Sequence, residues 1–579
     1  MEMLNCKVNG IAVSVPKGST ILDAARVAGV EIPTLCFMKE KNEIGACRIC
    51  VVEATGARGL VTACVYPVAE GMEIKTNTEK VQKSRKTTLE LILSTHDKKC
   101  LSCKRSTNCE LQKLCLEYGV DENAFGGYKP TYELDTSSPH LVRDNNKCIL
   151  CRRCVAACQE QFVSVIGAND RGIDTTIGSA FRVDLNNTPC ISCGQCTAVC
   201  PTGALTERDD TDKVWEALAD PTKHVFVQTA PSIRATLGEC FGMPIGTNVK
   251  GKMVAALRRL GFEKVFDTDA GADMTIMEEA HELVERIQNG GTLPMITSCS
   301  PGWVKFCEFY YPDMLAHLST CKSPQQMLSA IIKTYYAEKN GIDPKDIVNV
   351  SIMPCTAKKF EIERDDESAA GVPDTDIALT TRELSRMIAR AGIKFTALPD
   401  EEFDSPLGIE TGAAVIFGAT GGVMEAALRT ANDWLSGKSQ TNVDYTAVRG
   451  TEGLKETTVT LGGAKIKVAA ASGAAAAKTV MDRIKNGTAD WTFVEIMGCP
   501  GGCVNGGGQP IQPQSVRDTV DLKAVRAKAL YDMDAAMPIR KSHESPVVKT
   551  LYDEFFTDGM GGEKAHHILH TSYTARKKY

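Results

Sequence analysis

The sequence lacks features typical of membrane spans, nucleic-acid binding and nucleotide cofactors. No stretch of its 579 residues approaches the roughly 18 consecutive apolar residues of a membrane helix. The formal net charge of −6 provides no broad basic surface for nucleic acid. No Gly-x-Gly-x-x-Gly fingerprint follows a predicted strand, so we do not expect the chain itself to bind NAD or flavin.

The first residues, MEMLNCKVNGIAVSV, lack both a basic region followed by an apolar one and a twin-arginine signal. The chain has 24 cysteines, but they stand at the tight spacings of metal ligands rather than those of a disulfide framework. Both observations favour a reducing cytoplasm. A chain of this length is also expected to fold as several domains.

Two cysteine runs share one spacing, and a proline follows the last cysteine of the second run. They are Cys148-x2-Cys151-x2-Cys154-x3-Cys158 and Cys190-x2-Cys193-x2-Cys196-x3-Cys200-Pro201. This spacing is typical of paired 4Fe-4S clusters, in which the fourth cysteine of each run binds the other cluster. The predicted ligand sets are Cys148, Cys151, Cys154 and Cys200 for one cluster, and Cys158, Cys190, Cys193 and Cys196 for the second. The alternative is two zinc knuckles, but the doubled run and its closing Cys-Pro favour electron transfer.

Four further cysteines lie nearer the N-terminus, in the pattern Cys36-x10-Cys47-x2-Cys50-x13-Cys64. The pattern is similar to that of plant-type ferredoxins with a longer first gap, and it predicts a 2Fe-2S cluster. A zinc ribbon is the alternative. Strand-like runs at Cys6–Val8 and Ile11–Val15, and a helix that starts near Ser19, are predicted before it.

A third pattern, His96-x3-Cys100-x2-Cys103-x5-Cys109, follows a predicted helix over Val81–Ser94. Replacing one thiolate by imidazole makes a cluster less negative and raises its reduction potential. The pattern therefore predicts a 4Fe-4S cluster with one histidine ligand. Cys115 is an alternative ligand, and a Cys3His zinc site is the alternative to a cluster.

The second half of the chain alternates apolar runs with helical stretches. Helices are predicted over Gln325–Lys339, after Ser323 and Pro324, and over Arg382–Arg390 after Thr381. This alternation predicts α/β lobes with part-parallel sheets, whose ligands bind beyond the carboxyl ends of the strands. The remote cysteines are therefore expected to converge. The predicted strands are His224–Gln228, Leu293–Ile296, Ile347–Ile352, Ala413–Phe417 and Phe493–Ile496.

The first 210 residues resemble the iron-sulfur arm that iron-only hydrogenases share with the large iron-sulfur subunit of respiratory complex I and with certain formate dehydrogenases. Three later segments look like the signature loops of iron-only hydrogenases. They are TSCSPGW (Thr297–Trp303), MPCTAKKFE (Met353–Glu361) and EIMGCPGGCVNGGGQ (Glu495–Gln509). The similarity extends over nearly the whole chain.

The resemblance implies a multidomain α/β protein. Ferredoxin-like iron-sulfur domains at the N-terminus would precede a two-lobed α/β H-cluster domain with mixed sheets flanked by helices. The expected domains are a plant-type 2Fe-2S domain (1–80), a His/Cys3 4Fe-4S domain (81–125), a tandem 4Fe-4S ferredoxin domain (139–210) and the H-cluster domain (211–579).

The resemblance also implies reversible hydrogen oxidation and proton reduction, 2 H⁺ + 2 e⁻ ⇌ H₂. The implied cofactors are one 2Fe-2S cluster, three accessory 4Fe-4S clusters and an H-cluster. An H-cluster is a 4Fe-4S cube joined to a di-iron unit with CO, cyanide and dithiolate ligands. Carried over from the family, Cys355, Cys499 and Cys503 bind the cube, and Cys503 bridges to the di-iron unit.

Further site residues follow from the same resemblance. Lys358 and Ser232 would contact cyanide. A proton relay would run inward through Arg286, Glu282, Ser319, Glu279 and Cys299. The spacing of Glu279, Glu282 and Arg286 puts them on one helix face, where a solvated ion pair is the alternative. The residues expected to line the site are Ala230, Pro231, Gln325, Met353, Phe417 and Met497.

The first signature loop departs from the family pattern Thr-Ser-Cys-Cys-Pro. Ser300 stands where the family has the cube-binding cysteine, and a hydroxyl is a poor match for soft iron-sulfur ligation. Three alternatives stay open. Ser300 coordinates weakly, or Cys299 binds the cube instead, or the chain is an altered or sensory form.

The expected partners are ferredoxin and/or flavin- or NAD(P)-binding partner subunits, together with maturation proteins. The multiple cluster modules slightly favour a larger complex. The alternative function is that of a hydrogen sensor or a low-turnover electron-transfer subunit.

Overall fold

The computed structural model describes residues 2–451 and 453–578. The first part is a small sheet with one helix, α1 (Ile21–Val27). Thr20 and Asp23 form a reciprocal capping box at the start of α1, one residue beyond the predicted Ser19. The strands are β1 (Met3–Val8), β2 (Ile11–Pro16), β3 (Val51–Ala54), β4 (Val61–Thr62) and β5 (Glu73–Lys75), in the sheet order β2-β1-β5-β3-β4.

The next part consists of short elements separated by cysteine-bearing loops. The predicted helix over Val81–Ser94 is confirmed as α2 (Glu79–Thr95). Two small antiparallel pairs, β6 with β9 and β7 with β8, complete this part. The remaining elements are α3 (Glu110–Glu117), β6 (Leu141–Arg143), α4 (Arg153–Glu160), β7 (Gly167–Asn169), β8 (Thr176–Gly178), α5 (Gln195–Val199) and β9 (Leu205–Glu207).

The larger part contains two four-stranded sheets, which confirms two α/β lobes. Their strands are β10 (His224–Thr229), β11 (Lys264–Asp267), β12 (Met295–Ile296), β13 (Ile347–Met353), β14 (Ile377–Thr380), β15 (Leu454–Leu461), β16 (Ala464–Ser472) and β17 (Phe493–Met497). The first sheet, β11-β10-β13-β14, is entirely parallel. The second, β12-β17-β16-β15, is mixed, because only β15 and β16 are antiparallel.

Helices cover both sheets. The parallel strands β10 and β13 are buried on both faces, as the strands of a parallel sheet covered by helices are. The helices of this part are α6 (Thr211–Ala219), α7 (Lys250–Leu260), α8 (Thr268–Asn289), α9 (Pro301–Tyr310), α10 (Pro324–Ile331), α11 (Ala337–Asn340), α12 (Lys358–Glu361), α13 (Thr381–Arg390), α14 (Gly412–Val415), α15 (Gly422–Ser436), α16 (Ala474–Lys485), α17 (Gln514–Arg517), α18 (Leu522–Ala536), α19 (Pro546–Glu554) and α20 (Glu563–Leu569).

The two specific helix predictions in this part are confirmed with small shifts. A π-helical turn, Ile332–Tyr336, joins α10 to α11, so the predicted helix over Gln325–Lys339 is continuous. Thr380, rather than Thr381, caps α13 through a capping box with Glu383. The proline that starts α10 supplies a helical φ at the position where a missing N–H costs least.

The predicted strand Ala413–Phe417 is wrong. These residues form α14 and a following 3-10 turn, Ile416–Gly418. The Thr411 hydroxyl accepts a hydrogen bond from the Ala414 N–H at 3.3 Å and donates one to Asp273 at 2.7 Å. This cap starts a helical turn, and a five-residue apolar run has too little periodicity to distinguish a strand from a buried helix.

Four of the five predicted strands end at the loops that the sequence marked. The chain leaves β10, β12, β13 and β17 at Ala230, Thr297, Pro354 and Gly498. Within the described ranges, no helix is both long enough and apolar enough to cross a membrane.

Candidate catalytic centre and iron-sulfur sites

A cavity of about 520 Å³ lies at the carboxyl ends of the strands. Its polar lining includes Cys299, Cys355, Lys358 and Cys503, which come from loops far apart in the chain. The rest of its wall is mostly apolar. The wall also includes the six residues that the resemblance implies for the site, namely Ala230, Pro231, Gln325, Met353, Phe417 and Met497.

The three remote cysteines of the second and third signature loops converge beside this cavity. A hydrogen bond from the Cys499 thiol lowers the pKa of Cys355, whereas burial raises the pKa of Cys503 to about 12. Gly502 has a φ of +89°, and a Cβ there would lie 2.7 Å from the Thr420 nitrogen. Only glycine allows the backbone before Cys503 to turn this close to its neighbour.

The two adjacent residues Cys299 and Ser300 have different environments. Cys299 lines the cavity, and its carbonyl accepts a hydrogen bond from Lys358 Nζ at 3.3 Å. Burial, followed by the charge of Glu279, raises the pKa of the Cys299 thiol well above its usual value. Ser300 Oγ accepts a hydrogen bond from the Gly498 N–H at 3.1 Å, next to Cys499.

Lys358 is fixed by three neighbours. Its Nζ donates to Glu361 Oε2 at 2.8 Å and to Ser323 Oγ at 2.7 Å, besides the Cys299 carbonyl. Glu361 also accepts a hydrogen bond from Gln325 Nε2 at 2.9 Å. One carboxylate therefore orients two polar groups of the cavity wall.

Ser232 does not lie on the cavity wall. It is fully buried, and its hydroxyl accepts a hydrogen bond from Gln509 Nε2 at 3.3 Å. Ser232 packs against Gly418, which does line the cavity: a Cβ on Gly418 would lie 3.3 Å from the Ser232 Cβ.

A row of polar groups leads outward from the cavity along α8. Ser319 Oγ donates to Glu282 Oε2 at 2.8 Å, and Arg286 Nη2 donates to Glu282 Oε1 at 2.5 Å. Glu279 is 1% exposed, and neither of its carboxylate oxygens has a partner in the described part of the chain. Burial, reinforced by the charge of Glu282, raises the pKa of Glu279 to about 8.

A second cavity, of about 890 Å³, is lined by the tandem cysteine motif. The wall includes all eight of its cysteines, namely Cys148, Cys151, Cys154, Cys158, Cys190, Cys193, Cys196 and Cys200. Its other lining residues are mostly apolar. His140 Nε2 lies 3.7 Å from Cys190 Sγ, an approach that the sequence did not suggest.

Loops beside the two cavities are in close backbone contact. A Cβ on Gly507 would lie 2.3 Å from the Cys193 carbonyl, and Thr356 Oγ1 donates to the Ser192 carbonyl at 2.7 Å. Thr356 follows Cys355 directly. The loop of the second cysteine run is therefore in contact with two of the signature loops.

The N-terminal cysteines also converge. Cys50 Sγ lies 3.3 Å from Cys64 Sγ, and a hydrogen bond with Cys36 lowers the pKa of Cys47 to about 6. These two close pairs bring together the four predicted 2Fe-2S ligands, Cys36, Cys47, Cys50 and Cys64.

The environment of His96 suits a metal ligand. Its Nδ1 is buried without a partner among the described residues, and burial lowers its pKa to about 4, so the ring stays neutral. Cys100, Cys103 and Cys109 are half-buried, and a Cβ on Gly203 would lie 2.5 Å from Cys103 Sγ. Cys115 lies on α3 and is also half-buried.

Models of protein families match five successive regions of the chain. Residues 223–507 match the C-terminal domain of the iron-only hydrogenase large subunit, and 520–576 match the iron hydrogenase small subunit. Residues 1–79 match a 2Fe-2S iron-sulfur cluster binding domain. Residues 85–124 match the iron-sulfur binding region of NADH-ubiquinone oxidoreductase-G, and 147–204 match a 4Fe-4S dicluster domain.

Whole-length relatives decide the family. The NADP-reducing hydrogenase subunit HndD of Solidesulfovibrio fructosivorans is 47% identical over the full length of both chains. Iron hydrogenase 1 of Clostridium pasteurianum is 44% identical, over 98% of this chain and 99% of its own. The chain belongs to the iron-only hydrogenase family.

Solved structures of FeFe-hydrogenases resemble part of this chain. The apo HydA1 structure from Chlamydomonas reinhardtii is 42% identical with a TM-score of 0.56, over 62% of this chain and 98% of its own. A structure of HydA(deltaEFG), described as showing stepwise H-cluster assembly, has the same values.

The residues present fit the clusters that this hydrogenase family implies, with one exception. Eight thiols line one cavity and three line the other, and a neutral imidazole nitrogen of His96 has no partner among the described residues. These are the soft and borderline donors that iron-sulfur clusters use. The exception is the oxygen donor of Ser300.

Sequence reasoning missed two buried carboxylates near the candidate site. Glu361 orients Lys358 and Gln325, and its place at the end of the second signature loop was the available signal. Glu495, at the start of the third loop, is fully buried. It accepts hydrogen bonds from the Gly421 and Met424 N–H groups at 2.6 and 2.7 Å, and burial raises its pKa to about 7.

Proposed function

We propose that the chain catalyses 2 H⁺ + 2 e⁻ ⇌ H₂ at an H-cluster. Supporting this is the way the 520 Å³ cavity is connected. Loops beside it contact the loop of the second tandem cysteine run through Gly507 and Thr356, and Cys299 on its wall feels the charge of Glu279 in the polar row along α8. A hydrogenase needs such a meeting point, because electrons and protons must arrive by separate routes.

Cys355, Cys499 and Cys503 would hold the cube of this cluster, with Cys503 as the bridge to the di-iron unit. When bound, the H-cluster supplies the redox chemistry, and the protein supplies ligation, a dry pocket and orientation. Lys358 would offer its ammonium to a cyanide ligand, because Glu361 and Ser323 hold it at the cavity wall. Ser232 would act on the same ligand from behind Gly418.

Ser300 would stand at the fourth corner of the cube. Its Oγ lies beside the Gly498 N–H, which directly precedes Cys499. Cys299 lines the catalytic cavity, so we assign it to proton delivery and keep the family register of this loop.

Protons would pass between solvent and the cavity through Arg286, Glu282, Ser319, Glu279 and Cys299. Arg286 holds Glu282, and Ser319 donates to it. Glu279 would be the carrier between Ser319 and Cys299, and a pKa of about 8 would let it both take up and release a proton near neutral pH.

Electrons would reach the cavity through accessory clusters in three proposed domains, 1–80, 81–125 and 139–210, with the catalytic domain at 211–579. The proposed clusters are a 2Fe-2S cluster at Cys36, Cys47, Cys50 and Cys64, a 4Fe-4S cluster at His96, Cys100, Cys103 and Cys109, and the tandem pair. The tandem cluster that includes Cys193 would be the one nearest the catalytic cavity.

The proposed physiological role is that of a catalytic subunit in an NAD(P)- or ferredoxin-linked hydrogenase complex. One full-length relative is named as a subunit of an NADP-reducing hydrogenase. Flavin or NAD(P) would then bind on a partner subunit. A hydrogen sensor is the second candidate, which the oxygen donor at Ser300 favours.

Turnover and infrared spectroscopy of the matured protein test the proposal together. The chain is expected to show CO and cyanide bands and to evolve H₂ from a reduced low-potential donor. Bands without turnover would favour the sensor, and absence of the bands after maturation would refute the H-cluster.

A further inference from the structure

The C-terminal segment 569–573 pairs with the loop that carries Ser319. The Lys322 N–H donates to the Leu569 carbonyl, and the Thr571 N–H donates to the Thr320 carbonyl, both at 2.8 Å. Cys321 and His570 form an antiparallel bridge between them. A short two-stranded contact therefore joins the end of the chain to the relay loop.

Two side chains of this segment extend the contact toward Ser319. The Tyr573 hydroxyl donates to the Ser319 carbonyl oxygen at 2.5 Å. His570 Nδ1 lies 2.8 Å from Thr320 Oγ1, and its Nε2 lies 3.2 Å from Glu278 Oε2. Burial raises the pKa of Tyr573, so its hydroxyl keeps the proton that it donates.

The opposite side of the same loop is held by the relay helix and a strand. The Ser319 N–H donates to the Ile296 carbonyl at 2.7 Å, and the Thr320 N–H donates to Glu282 Oε2 at 3.1 Å. Arg286 Nη2 donates to the Leu318 carbonyl at 2.7 Å. Both backbone polar groups of Ser319 are therefore occupied, one by Ile296 and the other by Tyr573.

This arrangement matters because a serine hydroxyl can rotate and its backbone can shift. A hydroxyl relays a proton only when it stays within hydrogen-bonding reach of its acceptor, and a misplacement of about 1 Å costs up to a hundredfold in rate. Ser319 Oγ lies 2.8 Å from Glu282, so a small shift of the loop would break that link.

We propose that Tyr573 is a positioning residue for the proton relay, because its hydroxyl fixes the Ser319 backbone and so holds the Ser319 hydroxyl against Glu282. The proposal rests on the proposed hydrogenase function. It gives the region matched by the small-subunit model a specific task, beyond covering the core.

The test uses the full-length matured protein and Tyr573→Phe, which removes the hydroxyl and keeps the ring. Tyr335→Phe is the matched control, because the Tyr335 hydroxyl donates to Glu554 at 2.9 Å, on a partner outside the relay. We expect Tyr573→Phe to lower kcat by about three- to tenfold, with an unchanged KM for the electron donor and a larger solvent deuterium isotope effect. CO and cyanide bands should match the parent.

A Ser319→Ala background separates positioning from general stability. Positioning requires that Tyr573→Phe cause no further loss of kcat once the Ser319 hydroxyl is absent, since coupled residues are non-additive. An equal loss in both backgrounds, a kcat unchanged by Tyr573→Phe, or the same loss in Tyr335→Phe would overturn the proposal.

Hydrogen exchange tests positioning without turnover. Exchange of backbone amides in the peptide that covers Ser319–Lys322 should be faster in Tyr573→Phe than in the parent and in Tyr335→Phe. Unchanged exchange would contradict the proposal that Tyr573 holds the Ser319 loop in place. A parent that lacks CO and cyanide bands would instead refute the proposed function, and the exchange result would still decide whether Tyr573 holds the loop.

Discussion

At the scale of single residues, Glu279 differs from the other acidic groups of α8. Glu278 accepts hydrogen bonds from Gly561 and from the Tyr552 hydroxyl, and Glu282 is paired with Arg286. Glu279 is as buried as Glu278, and neither of its carboxylate oxygens makes a hydrogen bond within the described ranges. An unpaired buried carboxyl group is costly for stability, which is typical of a residue kept for function.

Glu279→Gln tests this role. The amide keeps the shape of the side chain but cannot carry a proton, so we expect H₂ turnover to fall by roughly a hundredfold or more. Iron content should be unchanged. Turnover measured beside Glu285→Gln, an exposed position on the same helix, provides the control. A loss within about twofold would mean that Glu279 is not part of the proton path.

Ser300→Cys tests the fourth corner of the cube. If Ser300 stands at the ligand position, a thiol there should bind iron more firmly than a hydroxyl, because it ionises more readily and is softer. We expect higher iron occupancy of the cube and higher H₂ turnover. Electron paramagnetic resonance and iron analysis measure the first, and no gain in either would count against the assignment.

At the scale of elements, the sequence was most informative where period and caps agreed. β13 and β17 were predicted almost to their ends, and Pro324 marked the start of α10. Ala413–Phe417 misled because Thr411 starts a helical turn that five apolar residues do not reveal. Cysteine spacing predicted which thiols lie together, whereas the contacts of Glu361 with Gln325 and of Tyr573 with Ser319 join residues far apart in the chain.

The contact between the cysteine loop and the third signature loop yields a prediction of its own. Gly507→Ala would place a Cβ 2.3 Å from the Cys193 carbonyl and 2.6 Å from the Gly194 Cα, which forces the two loops apart. We expect a loss of about 1–3 kcal/mol in stability and slower electron delivery to the catalytic cavity. Thermal unfolding and the rate of reduction of the catalytic centre measure the two effects.

Gly59→Ala is the control for that substitution, because a Cβ on Gly59 meets no atom within 4 Å. If Gly507→Ala proved as stable as Gly59→Ala and delivered electrons at the parental rate, the loops would not be in the contact described.

At the scale of the whole molecule, both N-terminal cysteine sites contact the region of the tandem motif. Asn42 Nδ2 donates to the carbonyls of Cys36 and Cys151 at 2.7 and 3.0 Å, and a Cβ on Gly203 would lie 2.5 Å from Cys103 Sγ. Small cluster-binding units of this kind have little core of their own, so the metal contributes to their folding. A zinc site would serve folding equally well, whereas only iron-sulfur clusters would carry electrons.

Metal analysis of the anaerobically purified, matured protein separates these possibilities. The ligand sets predict iron and acid-labile sulfide for one 2Fe-2S and four 4Fe-4S clusters, with two further irons in the di-iron unit. Substantial zinc would contradict the assignment of at least one site, and the His96 site would be the first to check by His96→Ala.

The account depends most on two assignments: Cys299 delivers protons, and Cys355, Cys499 and Cys503 bind the cube. Cys299→Ala tests both assignments directly. Electron paramagnetic resonance of the reduced variant, purified without the di-iron unit, reports whether the cube is present. The account predicts that the cube signal is retained and that H₂ turnover, after maturation, falls by about a hundredfold or more. Loss of the cube signal in Cys299→Ala would mean that Cys299 is a ligand and would contradict the account.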